Sequence, residues 1–397
     1  MAGTDVSGIP TFKLKLLVDK EKNKVVLAEA GMDFVDVFRS FLALPMATIV
    51  RLLEKYEPDL KPRIGCFNNL YESVSDLPVD DFMREACKGM LLYPEKQCRQ
   101  LHLNLDDDTE CTDDIFNLNT ECDKISVIVT ENMQVQVAST LLIVNILNGL
   151  GYKNHDMLEK RSVDVDHKEA LSLLHCLLYS ETPLTDVFLK KLSSCGIPRL
   201  PDMPTLTPVQ GRGMAEPKQV VSLTVLVRKQ DKKVIYAESG PEFVDLLFLF
   251  LAIPLESVWD ITRSNTKLGC VDNFCTSMKS LFSSGNVVST CMLPPLEYSF
   301  RKSLLGVPYK MNNFSESPYY KYIVTESYEA EETWECDDLS GFVKRCARYM
   351  ISDDLTITAA HSFSTISFVM ELNVDFDDME SYTINISKTQ INNSESV

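Results

Sequence analysis

A chain of 397 residues with 45% apolar and 24% charged residues has material for two ordinary domains and the composition of a folded protein, not a disordered one. Its 57 acidic against 39 basic residues leave a net charge of -18, a field that repels phosphate backbones and argues against a nucleic-acid or anionic-membrane binder. The longest apolar run, LLFLFLAI at 246–253, is about half of a membrane span, and MAGTDVSGIPTFKLKLL lacks the regions of a secretory signal. The expectation is therefore a soluble cytoplasmic protein, with the nucleus left open and no membrane partner.

In chain order, FKLKLLV and KVVLAEA are aliphatic and β-branched runs around the polar turn DKEKN, which predicts a hairpin. Gly31 then releases the chain into a helix whose apolar positions 34, 37, 38 and 41 share one face, and Pro45 ends it or begins the next. Further on, KISVIVT and MQVQVAS predict a second hairpin turning at Glu131 and Asn132. STLLIVNILNGL predicts a helix, RSVDVD a strand and KEALSLLHCLLYS another helix. Thr182 before Pro183 marks one more helix start, into LTDVFLKKL.

The pattern then repeats. Residues 14–53 align without gaps with 223–262, and 16 of those 40 positions are identical, among them Glu29, Gly31, Asp36 and Pro45. IGCFNNLYESV at 64–74 answers LGCVDNFCTSM at 268–278, and VTENMQVQ at 129–136 answers ISDDLTIT at 351–358. Two units in one order are a duplication, not a solenoid. The fold class predicted is α+β: two tandem related domains of β-hairpin plus helix modules, the second C-terminally truncated. The expected boundaries are 11–196 for the first copy, 197–218 for a proline-rich linker, 219–388 for the second, incomplete copy and 389–397 for a polar tail. Arg39 and Ser40 of the first helix become Phe248 and Leu249 in its repeat. That makes the second helix apolar all round and predicts burial between the halves or against a protein partner through the apolar surface of the second copy.

LKLLVDKEKNKVVLAEAGMDFVDVFRSFLALP, GCFNNLYESV, the CKGMLL run near Cys87 and EALSLLHCLLYSETPLTDVFL together resemble the plant family catalogued as domain of unknown function 674. The resemblance spans most of the chain, tandem arrangement included. It implies an intracellular plant protein and no particular activity. The family pattern also implies a cysteine-rich insertion able to hold a metal. Here that region keeps Cys111 and Cys122, and the second copy offers Cys336 and Cys346, without the paired short spacings of a zinc site.

The acids repeated in both copies, Glu29 and Asp36 with Glu238 and Asp245, are the candidate binding residues. Paired carboxylates act as acid and base when their surroundings separate their pKa values. A strand-end glutamate can equally cap the following helix, and Asp36 can pair with Arg39 one turn on, a partner that Asp245 loses to Phe248. No histidine recurs at matching places, and no H-E-x-x-H, G-x-S-x-G, kinase or P-loop pattern occurs. No catalytic residue and no cofactor are expected. The reading is a non-catalytic interaction or ligand-binding scaffold. The alternatives are an enzyme of unrecognised class using the strand–helix carboxylates, and a scaffold stabilised by metal.

Overall fold

The computed structural model describes residues 12–56, 64–93, 126–190, 220–262, 266–283, 341–360, 366–367, 370 and 376–387. The expected linker and tail, and Cys111, Cys122 and Cys336, lie outside them, as do the side chains of Asp36, Arg39 and Ser40.

The first hairpin is β1 (Phe12–Asp19) and β2 (Lys24–Ala30), and α1 (Met32–Ala43) and α2 (Met46–Tyr56) follow it. Then come α3 (Phe67–Asp76), a single 3₁₀ turn at Val79–Asp81 and α4 (Glu85–Leu92). The second hairpin is β3 (Val127–Thr130) and β4 (Val135–Val137). It leads through α5 (Thr140–Gly149) and β5 (Leu158–Val165) to α6 (His167–Tyr179) and α7 (Pro183–Phe188). In the repeat these are answered by β6 (Val220–Arg228), β7 (Val234–Ser239), α8 (Pro241–Ala252), α9 (Leu255–Ile261) and α10 (Val271–Ser283). β8 (Tyr349–Ser352), β9 (Ile357–Ala359) and β10 (Met379–Ser387) complete the second copy.

Two five-stranded antiparallel sheets result, ordered β4-β3-β2-β1-β5 and β9-β8-β7-β6-β10, the same order in each copy. The correspondence reaches single residues. A bulge interrupts β1 between Leu17 and Val18 and β6 between Leu226 and Val227. Left-handed backbone recurs at Asn23 and Lys232, at Met133 and Leu355, and at Gly65 and Gly269. Strand alternation puts Leu14, Leu16, Ala28, Ala30, Val127 and Val129 on the inner face of the first sheet, where all are buried.

The inner faces of both sheets contribute to one continuous apolar core. Pro45 and Pro254, identical in the alignment, form an antiparallel bridge: Met46 N donates to the Ile253 carbonyl at 3.1 Å and Leu255 N to the Leu44 carbonyl at 3.0 Å. Around this local two-fold, α1 packs on α9 and α2 on α8. Each third helix crosses to the other copy, α3 onto β9 and α10 onto β4. Phe38 meets Phe274 with ring centroids 5.1 Å apart, and Phe82 stacks on Phe248 at 6.4 Å. At about 1.5–3 kcal/mol for each buried aromatic or aliphatic side chain, these crossed contacts contribute substantially to stability.

The all-round apolar character of α8 has its explanation here. Phe248 and Leu249 are buried, and the helix lies against α2, α3 and α4 of the first copy. α5 shows the opposite outcome. Ser139 caps it by accepting from Leu142 N, yet this apolar helix has no buried residue, and Leu141 is 70% exposed. No helix among the described residues is long and apolar enough to cross a membrane.

Candidate functional site

In the second copy the glutamate of the repeated block does not meet its aspartate. Glu29 follows Ala28 and precedes Ala30, both turned into the core, so its own side chain points to the outer face of the sheet. There Lys15, its cross-strand neighbour, approaches to 3.4 Å, largely exposed. Glu238 stands half-buried in the matching place on the second sheet, with Tyr236 on the same face. The side chain of Asp36 is outside the described residues.

Asp245 is the buried member, with 0% of its surface exposed. Its Oδ1 accepts the amides of Phe342 at 2.6 Å and Val343 at 3.0 Å. Arg345 Nη1 lies 3.7 Å from Oδ2 and 4.0 Å from Glu242 Oε1. The lost i+3 partner is thus replaced by an arginine about a hundred residues away. Burial pushes the carboxyl up to about 6, against the pull of the two amides and the guanidinium. Gly341 makes the approach feasible, since a Cβ there would fall 2.3 Å from Oδ2.

The segment so held also ties the copies together. Met83 N donates to the Phe342 carbonyl and Lys344 N to the Asp81 carbonyl, both at 2.9 Å, bridging Phe82 with Val343. Tyr349 adds its hydroxyl to the Asp81 carbonyl at 3.3 Å. The arrangement is a clamp: a buried acid fixes two amides, and their neighbours pair with the first copy.

A second buried acid went unnoticed in the sequence because it sits in a hairpin turn, where a glutamate is normally solvated. Glu131 accepts Thr185 N at 3.1 Å and the Thr185 hydroxyl at 3.0 Å, while Thr185 Oγ1 accepts Val25 N at 2.8 Å. Burial raises Glu131 to about 7, opposed by both Thr185 bonds and by Lys24. Asp186 accepts from the Ser180 and Thr182 hydroxyls and pairs with Lys190 at 3.0 Å. The amide of Cys270, from the second copy, donates to the Leu177 carbonyl, and its thiol to that of Ser180. The only sequence signal was the Thr182-Pro183 start of α7, a helix end that needs acceptors.

Neither cluster has the form of a reaction centre. Thr185 is enclosed with its hydroxyl already engaged, and Cys270 is buried with its thiol pushed up to about 12. His175 is buried on α6 against Tyr179, and burial lowers its pKa. Of the cysteines weighed as metal ligands only Cys346 is described, and it is exposed. No group of three or more His, Cys, Asp or Glu side chains able to hold a metal occurs among the described residues.

In comparisons with known proteins, a family model described as "Protein of unknown function (DUF674)" matches residues 9–126 and again residues 109–389. No curated protein and no solved structure matches.

Proposed function

From the premise that the chain belongs to the DUF674 family, we propose that it is a non-catalytic interaction scaffold built as a pseudo-two-fold pair of α+β units. One observation carries this reading: Asp245, the buried acid of the repeated block, is engaged in holding backbone. Glu29 and Glu238 lie on the outer sheet faces, and Asp245 holds backbone on the inner side, so the sheet of the second copy separates its two acids. What remains available is apolar surface. α5 presents Leu141, Val144 and Leu150 to solvent from a helix with no buried residue, the form of a protein-docking face.

A plant-cell cytoplasmic setting fits this reading. It is supported by Cys87, Cys176, Cys270 and Cys275, which are buried in the core as free thiols, and by an acidic surface unsuited to nucleic acid. The test is affinity capture from the native tissue with the full chain and with Leu141→Glu/Val144→Glu, both of which should fold alike because these positions carry no core contacts. The expected result is a protein partner retained by the first and lost by the second. Identical partner sets for both, or a small molecule chemically altered by the purified chain, sink the proposal.

A further inference from the structure

The sheets of the two copies end in different kinds of edge. Each runs from a short strand met by a helix of the other copy, β4 by α10 and β9 by α3, to a long strand with one neighbour, β5 beside β1 and β10 beside β6. β5 reads LEKRSVDV and carries Glu159, Lys160, Arg161 and Asp164, with the Arg161 guanidinium 3.0 Å from Glu159. Charge along a sheet edge opposes pairing with a further strand. From β5 the chain enters α6, which packs back against it. That edge is blunted.

β10 has neither protection. Its sequence, MESYTINIS, holds a single charge, Glu380, and that carboxylate is paired with Lys232. Residues 381–385 are all exposed, including Tyr382 at 45% and Ile384 at 44%. The register with β6 sets Tyr382 opposite Val225 and Ile384 opposite Leu223, on the inner, apolar face of the sheet. In the first copy the matching residues, Leu14 and Leu16, lie in the main core, whereas Leu223 and Val225 form a small cluster of their own with Ile386 beside it. Among the described residues no strand pairs with the outer edge of β10 and no helix follows it.

We propose that β10 is a self-association edge: two molecules of the chain join their β10 strands antiparallel across a two-fold axis at Ile384, so that two five-stranded sheets become one. A strand that meets itself must be self-complementary, and the sequence of β10 is. The axis sets Ile384 against its own counterpart and Tyr382 against Ile386 on the inner face, with Thr383 against Asn385 on the outer. Aromatic and β-branched pairs of this kind stabilise a sheet, and the two Glu380 carboxylates fall at opposite ends instead of facing each other. With no charge pattern to select a foreign strand, the best-matched occupant is a second molecule. A single strand edge buries less than the about 1,200 Å² of a standard interface, so the dimer is a weak one with a micromolar dissociation constant. The surface is separate from α5, and the proposal stands or falls independently of binding there.

The experiment is sedimentation velocity on the full chain, from about 1 to about 200 µM, where a monomer–dimer equilibrium should appear. Hydrogen exchange should find residues 379–387 better protected at the upper concentration, because an unpaired edge leaves alternate amides to solvent. Ile384→Lys and Ile384→Glu each set like charges against each other across the axis and should weaken the dimer about tenfold or more. An equimolar mixture of the two variants should recover it. Ile384 is exposed, so both variants are expected to fold, which circular dichroism checks, and the exchange measurement on the unaltered chain stands without them. Leu141→Glu/Val144→Glu, on α5, should leave the dimer as it is. A chain still monomeric at about 200 µM, a dimer unaffected by either Ile384 substitution, or a mixture that fails to recover it overturns the proposal. Loss of the dimer in the α5 variant overturns it too, and would make α5 the self-association face.

Discussion

Replacing Asp245 separates a structural acid from a reactive one. Asp245→Ala removes the acceptor of two buried amides, those of Phe342 and Val343, and takes a carboxylate away from Arg345. An unsatisfied buried donor costs about 1–3 kcal/mol, so the variant should lose about 2–5 kcal/mol. Asp245→Asn keeps an acceptor for both amides and should lose far less. The titration gives an independent check. The folded-state pKa is about 6 against 3.8 for the ordinary carboxyl, so the native state holds this proton more tightly than the unfolded chain. That contribution is fully present below about pH 4 and is lost as pH rises through 6, about 3 kcal/mol in all. The assay is urea denaturation from pH 4.5 to 7.5. Asp245→Asn should show a flatter pH dependence than wild type over that range. Alanine and asparagine variants of equal stability, or an asparagine variant with an unchanged pH slope, would refute the clamp.

The other predictions follow the same logic. Glu131, raised to about 7, also contributes stability that is present below about pH 4.5 and lost as pH rises through 7, so Glu131→Gln should flatten the upper part of the same profile, read by denaturation at pH 5 and 8. Gly269→Ala should lower Tm by more than Gly65→Ala. Both have positive φ, but the new Cβ at 269 would lie 2.5 Å from the Leu177 carbonyl oxygen, whereas that at 65 meets nothing within 4 Å. The left-handed penalty common to both is about 1–2 kcal/mol, and the excess at 269 measures the docking of α10 on α6. Residues 219–397 expressed alone should lack near-UV dichroism and bind a hydrophobic dye, because α8 loses its cover from α2, α3 and α4. A cooperative monomeric transition for that fragment would count against the shared core.

The duplication and its hairpins were legible because strand alternation and turn residues are local, and the replacement of Arg39-Ser40 by Phe248-Leu249 announced the burial of α8. STLLIVNILNGL carries an equally apolar helix, and there composition pointed the other way from the structure. A pattern shows that a face lacks polar groups, not whether another element arrives to cover it. Pairing across the fold was unreadable for a related reason. Asp245 reaches Phe342 and Glu131 reaches Thr185 through contacts 97 and 54 residues apart, each set by the tertiary packing of its own copy. Glu29, legible as an acid at a strand end, turned outward because the alternation that buries Ala28 and Ala30 leaves it no other side.

The crossing of α3 and α10 also has a consequence during synthesis. β4 acquires its covering helix from α10, which ends at Ser283, about 90 residues after Lys190. At about 5–20 residues per second, the completed first copy waits roughly 5 to 20 seconds on the ribosome with that edge unmet. A nascent chain with an apolar sheet face open for so long is a substrate for chaperones, and abundance in the cell then depends on holding capacity as much as on final stability.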